Sequence, residues 1–218
     1  MNVLKHIIKI NAPASLEAYK NTEGARFDDM PQNVKDELRN SLVEEQGGLC
    51  CYCGGEIKAD HTSVIEHLLP KGDERYAHLQ LEYTNLLCSC DGGESDRKGK
   101  SKKQKRLYPS HCDDKKHDDI IGVSPLDKNC EEQFAYDEEG HIIGKSTTAE
   151  ETIETLGLNC STLSNKRKGA IDAYADLDPY ETNWDEIIQS LGERHDGRFI
   201  QYCFVSIYYI KNYKMMQV

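Results

Sequence analysis

Gln46-Gly47-Gly48-Leu49-Cys50-Cys51-Tyr52-Cys53-Gly54-Gly55, followed by Ile65-Glu66-His67-Leu68-Leu69-Pro70, decides how this chain is read. Cys50 and Cys53 have the Cys-x-x-Cys spacing that supplies two thiolates of a tetrahedral zinc site from one tight turn. Gly54-Gly55 relieves the backbone behind them. The second stretch sets a carboxylate beside an imidazole just ahead of a proline. Farther out lie Asn85, Cys88, Cys90 and His111-Cys112-Asp113.

The chain has nine cysteines in 218 residues. An odd number in a chain of this size suits no disulfide framework. Met1 to Ile10 alternates apolar residues with Lys and His, unlike a secretion signal. The expected compartment is therefore the reducing cytoplasm, and the clustered thiols read as metal ligands. Cys90 with Cys112 is the preferred second zinc pair, with Cys88 as the alternative to Cys90. Cys51 is expected to pack. Four thiolates leave no open position on the metal, so this zinc is expected to be structural.

The acid–imidazole pair suggests hydrolysis of a phosphodiester. Such a reaction needs a general base, which a histidine titrating near neutrality provides. It also needs a hard cation against the phosphate, Mg²⁺ or Mn²⁺, held by carboxylate and amide oxygens. Glu66 and His67 are adjacent, so on a regular strand they point to opposite faces. They share a site only if the strand ends there in a turn, for which Pro70 argues. Asn85 is placed to brace the loop through its amide. His6, His78, His117, His141 and His195 have no comparable surroundings.

The rest of the chain reads as α+β, mainly helical, with one principal core. Residues 3–10 suggest a strand, 14–20 a short helix, and 33–46 a helix capped by Asn33, with Val34, Leu38 and Leu42 on one face. Val64–Leu69 and Leu86–Cys88 read as partner strands, and 91–106 as a mobile loop. Phe134–Tyr136 and His141–Ile143 suggest a hairpin. Helices follow from Thr148 to Leu156, Ser161 to Leu177 and Trp184 to Leu191. Phe199–Ile210 is strongly apolar and too short to span a membrane, so no membrane association is expected. It reads either as a core helix or as an aromatic helix docking a partner.

The formal net charge is −11. Affinity for nucleic acid comes largely from neutralising phosphates, so the overall sign is wrong for a solitary nucleic-acid-binding protein. Yet residues 97–106 hold Arg97, Lys98, Lys100, Lys102, Lys103, Lys105 and Arg106 and no acid, leaving −18 on the remainder. These seven cations are the candidate nucleic-acid contacts, and a partner is expected to supply further affinity.

Gln46 to Cys53, Ile65 to Lys71, Tyr83-Thr84-Asn85-Leu86-Leu87 and Cys90 together resemble the HNH endonucleases built on a zinc-bound ββα-metal core. The Asn85-to-Cys90 step matches that family's usual interval and also selects Cys90 over Cys88. Pro13 to Leu16, Ser89 to Gly93 and His111 to Lys116 resemble, more narrowly, the HNH nuclease subunits of retron and Septu anti-phage defence systems. The resemblance covers about residues 1–165.

That resemblance implies His67 as general base, Glu66 as metal ligand and Asn85 as the bracing residue. The third ligand falls at Asp113, where the family usually has His or Asn, with His111 and Asp91 as rivals. It also implies a nuclease domain over 1–165 that includes the basic loop 91–110. A helical region over 166–218 would follow as the candidate docking segment. Implied partners are nucleic acid, DNA first and RNA such as tRNA as the alternative, and an ABC/SMC-like ATPase. A reverse transcriptase with its non-coding RNA/DNA product is a further one. A reading of another class is a non-catalytic zinc-knuckle adaptor for nucleic acid or protein. It accounts for the cysteines and the basic loop but gives Glu66-His67 no task.

Overall fold

A computed structural model describes residues 5–217. The chain is a mixed α+β protein, 43% helical, with two small sheets. Helices α1 (Ala14–Lys20) and α2 (Gln32–Glu45) each start directly after a proline, Pro13 and Pro31. Proline is pre-set for a helix start and has no N–H to leave unpaired. Pro31, not Asn33, therefore occupies the cap position of α2, and no side chain caps it. Val34, Leu38, Leu42 and Val43 of α2 are buried.

The strand expected over 3–10 does not form over the described residues 5–10; residues 3 and 4 lie outside the described range. The segment is instead tied down by single contacts. Ile7 N donates to the Pro125 carbonyl at 2.8 Å. Ile10 N donates to Glu45 Oε2, and the Lys9 ammonium bonds Glu45 Oε1, both at 2.6 Å.

Strand β1 (Ser63–His67) pairs antiparallel with β2 (Leu86–Cys90), in a register that sets Ile65 opposite Cys88 and His67 opposite Leu86. Both strands are almost wholly buried, the polar side chains of Ser63, Glu66, His67 and Ser89 included. After β2 come three single-turn helices: α3 (Glu94–Arg97), α4 (Lys102–Lys105) and α5 (Asp113–Lys116). The segment read as a mobile loop is thus locally organised. Ser101 and Gln104 form a reciprocal capping box on α4. The Asp91 carboxylate accepts from Gly93 N and Ser95 N. Arg97 donates to the Gly92 and Tyr108 carbonyls and pairs with Asp114 at 2.5 Å.

The second hairpin, β3 (Phe134–Tyr136) and β4 (Ile142–Gly144), leads into α6 (Thr147–Leu156) and α7 (Ser161–Ala175). Ser146, not Thr148, caps α6 by accepting from Ala149 N. Fully buried Arg167 of α7 donates to the carbonyls of Gly140 and Leu158, both at 2.6 Å, fastening the hairpin turn to the helix.

Helix α8 (Trp184–Gly192) and helix α9 (Cys203–Tyr209) complete the chain, α9 continuing as a wider π turn over Ile210–Lys214. The aromatic stretch is core rather than a free docking face. Tyr202, Cys203, Phe204, Val205, Tyr209 and Ile210 are all buried. This segment also clasps the Cys-x-x-Cys turn. Phe199 N donates to the Gly47 carbonyl at 2.9 Å, and Tyr202 N to the Gly54 carbonyl at 3.0 Å. Arg198 reaches the Ile57 carbonyl, and Arg194 those of Glu44 and Glu45. Gly54, at φ +71°, lies so close to Phe204 that a Cβ there would meet its ring at 2.1 Å.

Candidate functional site

The turn at 50–53, the end of β2 and the entry to α5 converge on four sulfurs. The Sγ atoms of Cys50, Cys53, Cys90 and Cys112 all lie within 4.8 Å of one another, with Cys50 to Cys112 and Cys53 to Cys90 each at 3.9 Å. A tetrahedron with Zn–S bonds near 2.3 Å has sulfur–sulfur edges of about 3.8 Å, so these residues fit a four-thiolate zinc. Amide N–H groups already point at the sulfurs: Cys90 N to Cys50 Sγ at 3.3 Å and Gly55 N to Cys53 Sγ at 3.4 Å. Such bonds stabilise thiolate over thiol.

The protonation balance agrees with a cation in the cage. Burial opposes ionisation of Cys50, but hydrogen bonds from Cys112, Cys51, Cys53 and Cys90 hold it well below the usual thiol range. Burial pushes Cys112 well up. Four thiols this close cannot all ionise unless a cation lies among them.

Cys88 and Cys51 stand outside the cage. Cys88 is fully buried, and burial pushes its thiol up to about 12. Burial, and then Cys50, push Cys51 well above the usual range. Both therefore remain protonated packing residues.

Cys112 has φ +51°, a strained conformation for a residue with a Cβ. This geometry turns its sulfur into the cage while the next residue, Asp113, opens α5 toward β1. The Asp113 carboxyl hydrogen-bonds Glu66. Burial first, then the hydrogen bond and charge of Glu66, push Asp113 up to about 8, with Lys116 pulling the other way. Two carboxyls in contact hold one proton between them or one cation.

Glu66 is itself only 4% exposed. Its Oε1 accepts from the Tyr52 hydroxyl at 2.9 Å and from the Lys116 ammonium at 2.8 Å. The chain thus contributes two residues here that sequence reasoning missed. Tyr52 sits inside the Cys-x-x-Cys turn. Lys116 lies three positions after Asp113, one turn along the same helix face, and that spacing was the available signal.

His67 follows Glu66 directly and closes β1. The chain bends over the next two residues, ahead of Pro70. The His67 ring meets the edge of Phe27 with centroids 4.4 Å apart, and its Nε2 is 3.0 Å from the Gln80 carbonyl. A carbonyl only accepts, so Nε2 carries the proton and Nδ1 keeps its lone pair in the neutral ring. Burial, the largest influence, lowers the His67 pKa, partly offset by the Gln80 carbonyl and Glu66.

Asn85 clamps the segment after β1. Its Oδ1 accepts from Leu69 N at 2.8 Å, and its Nδ2 donates to the Leu69 carbonyl at 3.0 Å and the Leu79 carbonyl at 3.3 Å.

The two rival ligands sit elsewhere. His111 Nδ1 lies 3.2 Å from Cys112 Sγ and 3.8 Å from Cys90 Sγ, beside the thiol cage. Asp91 is committed to the turn at Gly93 and Ser95. Of the seven basic candidates, Arg97 is a half-buried structural staple, and Lys100 lies over the Tyr108 ring at 4.7 Å. Lys98, Lys102, Lys103, Lys105 and Arg106 are exposed.

No protein-family model matches the chain. It is similar to the "Retron Vc95 putative HNH endonuclease" of Vibrio cholerae serotype O1 biovar El Tor. The two are 30% identical over 176 residues, covering 74% of this chain and 80% of the relative. No helix among the described residues is long and apolar enough to cross a membrane.

Proposed function

Because the chain belongs to the HNH endonucleases of the retron-associated type, we propose that it hydrolyses phosphodiester bonds of nucleic acid at a metal-dependent site built on β1, β2 and α5. These elements form the ββα unit of this reading. The structural zinc belongs to Cys50, Cys53, Cys90 and Cys112. The observation that carries the proposal is the contact between the carboxyls of Glu66 and Asp113, one on the strand and one opening the helix, beside the four-sulfur cage.

A divalent ion held by Glu66 and Asp113, Mg²⁺ or Mn²⁺, supplies positive charge against the phosphate when bound. The chain's own residues do the rest. His67 is neutral at physiological pH, because burial lowers its pKa. Its Nδ1 accepts the proton of the attacking water. The Gln80 carbonyl fixes the tautomer, and Asn85 holds the loop that follows. Lys102, Lys103, Lys105 and Arg106, exposed on α4 and at its end, bind the nucleic-acid backbone. The net charge of −11 argues that further affinity is borrowed. We assign that role to an ATPase subunit of the ABC/SMC-like type within a retron-type defence complex that also includes the reverse transcriptase and its product.

The test is cleavage of DNA and of RNA, tRNA included, by the chain purified with its neighbouring gene products. Mg²⁺ should restore activity after brief EDTA treatment, and H67A should abolish it while zinc content and folding persist. Cleavage by H67A at the unaltered rate would remove the mechanism.

A further inference from the structure

Lys116 is fully buried, at 0% exposure. Its ammonium lies 2.8 Å from Glu66 Oε1, 3.1 Å from the His67 carbonyl oxygen and 3.4 Å from the His117 carbonyl oxygen. An ammonium has three N–H donors, and three oxygens surround this one. Two of them belong to consecutive residues of β1, and the third lies at the end of α5. Asp113 opens the same short helix.

A buried ion pair is a weak way to stabilise a fold, since an apolar side chain of similar volume commonly does as well. The position of this ammonium therefore calls for another account. It holds the carboxylate proposed to bind the ion, the backbone of the proposed base, and the helix that presents the second carboxylate. Tyr52 fixes the same Glu66 oxygen from the other side.

We propose that Lys116 is a positioning residue of the hydrolytic site. Its ammonium pins Glu66 and the His67 backbone to α5, so that the Glu66 and Asp113 carboxyls are already together before an ion arrives. This inference rests on the ion-site reading of Glu66 and Asp113.

The test uses the full-length chain, with Mg²⁺ in cleavage assays and Mn²⁺ as a spectroscopic probe. K116M keeps the stem and loses the charge and all donors. K116Q keeps N–H donors without the charge. Zinc content and thermal melting show whether each variant is folded. Folded K116M is expected to lose about a hundredfold in cleavage at saturating Mg²⁺. It should also need about tenfold more Mn²⁺ for half-saturation, read by electron paramagnetic resonance in an H67A background without turnover. K116Q should fall between K116M and the natural chain in both measurements.

A role in packing alone moves melting but neither rate nor Mn²⁺ demand. Folded K116M with unaltered values would therefore overturn the assignment. If K116M does not fold, K116Q decides: unchanged rate and Mn²⁺ half-saturation overturn it equally. E66A separates this inference from the reading beneath it. An E66A chain that still cleaves at the natural rate removes the ion site itself. An inert E66A beside a fully active K116M removes only the role of Lys116.

Discussion

The Tyr52 hydroxyl donates to Glu66 Oε1 at 2.9 Å, although Tyr52 is a residue of the Cys-x-x-Cys turn and Glu66 a residue of β1. Asp113, whose carboxyl also meets Glu66, directly follows the cage residue Cys112. Two of the stretches that supply the cage therefore also reach the carboxyl site, one from within its turn and one by its next residue. The cage shapes that site as well as the fold.

Zinc removal is accordingly expected to abolish cleavage in a way that Mg²⁺ alone does not repair. Prolonged treatment with a strong zinc chelator, or the substitution C112S, should release zinc and lower the melting temperature. Chelated protein should recover only when Zn²⁺ and Mg²⁺ are both returned. Recovery with Mg²⁺ alone, with zinc still absent by metal analysis, would contradict the shared construction.

The ion requirement should depend on pH through Asp113. Its carboxyl is pushed up to about 8, so at lower pH a proton competes with the ion for the site. The Mg²⁺ concentration for half-maximal cleavage should fall about tenfold for each unit of rising pH until about 8, then level off. D113N has no proton to displace, so its ion requirement, higher because a ligand is lost, should be flat over the same range. A flat profile in the natural chain would exclude the competition.

His67 predicts the opposite measurement, the rate at saturating ion. The base must be neutral, and burial lowers its pKa below the ordinary 6.5. The rate should therefore hold through neutral pH and fall only as pH drops below about 6.5, where the imidazole gains its proton. An acid limb centred above 7 would point to a different base.

Asn85 is a smaller but cleaner lever. N85A removes both bonds to Leu69 and leaves its amide without a partner, for a cost of about 2 kcal/mol in urea unfolding. Cleavage should fall as well, because the clamped segment continues from His67. Unchanged stability and rate would show that the loop holds itself.

The basic segment divides into two roles that can be told apart. Replacing Lys102, Lys103, Lys105 and Arg106 with Gln should weaken nucleic-acid binding with melting unaltered. The slope of its salt dependence should become shallower by about 0.7–0.9 for each phosphate no longer neutralised. R97A should instead destabilise the fold by about 2 kcal/mol, because it strips two carbonyl contacts and the pair with Asp114. A normal salt slope in the fourfold variant would leave α4 without a contact role.

Much of this was legible in the sequence because the chemistry lies in short, spaced motifs. Cys-x-x-Cys geometry and the later Cys90 and Cys112 identify the cage. The periodicity of Val34, Leu38 and Leu42 identifies α2, and the run at Ser161 identifies α7. What escaped were relationships made by folding. Residues 5–10 have strand-like alternation but no partner strand, so their polar groups are met one at a time by Glu45 and Pro125. The segment after Asp91 looked unstructured because it has little to bury, yet Arg97 reaches back to fasten it. The spacing of Lys116 from Asp113 marks a shared helix face, but only folding brings Glu66 and the His67 carbonyl to its ammonium.

The clasp of residues 194–204 over the Cys-x-x-Cys turn has a consequence for biosynthesis. All four cage thiols are in the growing chain about 80 residues before Arg194 is added. Until then Gly47, Gly54 and Ile57 lack the partners that cover them in the finished protein. Translation must pass this late segment before the thiol cage and the proposed carboxyl site beside it are covered, so an interrupted or clipped product carries their side chains without the backing that holds them in order.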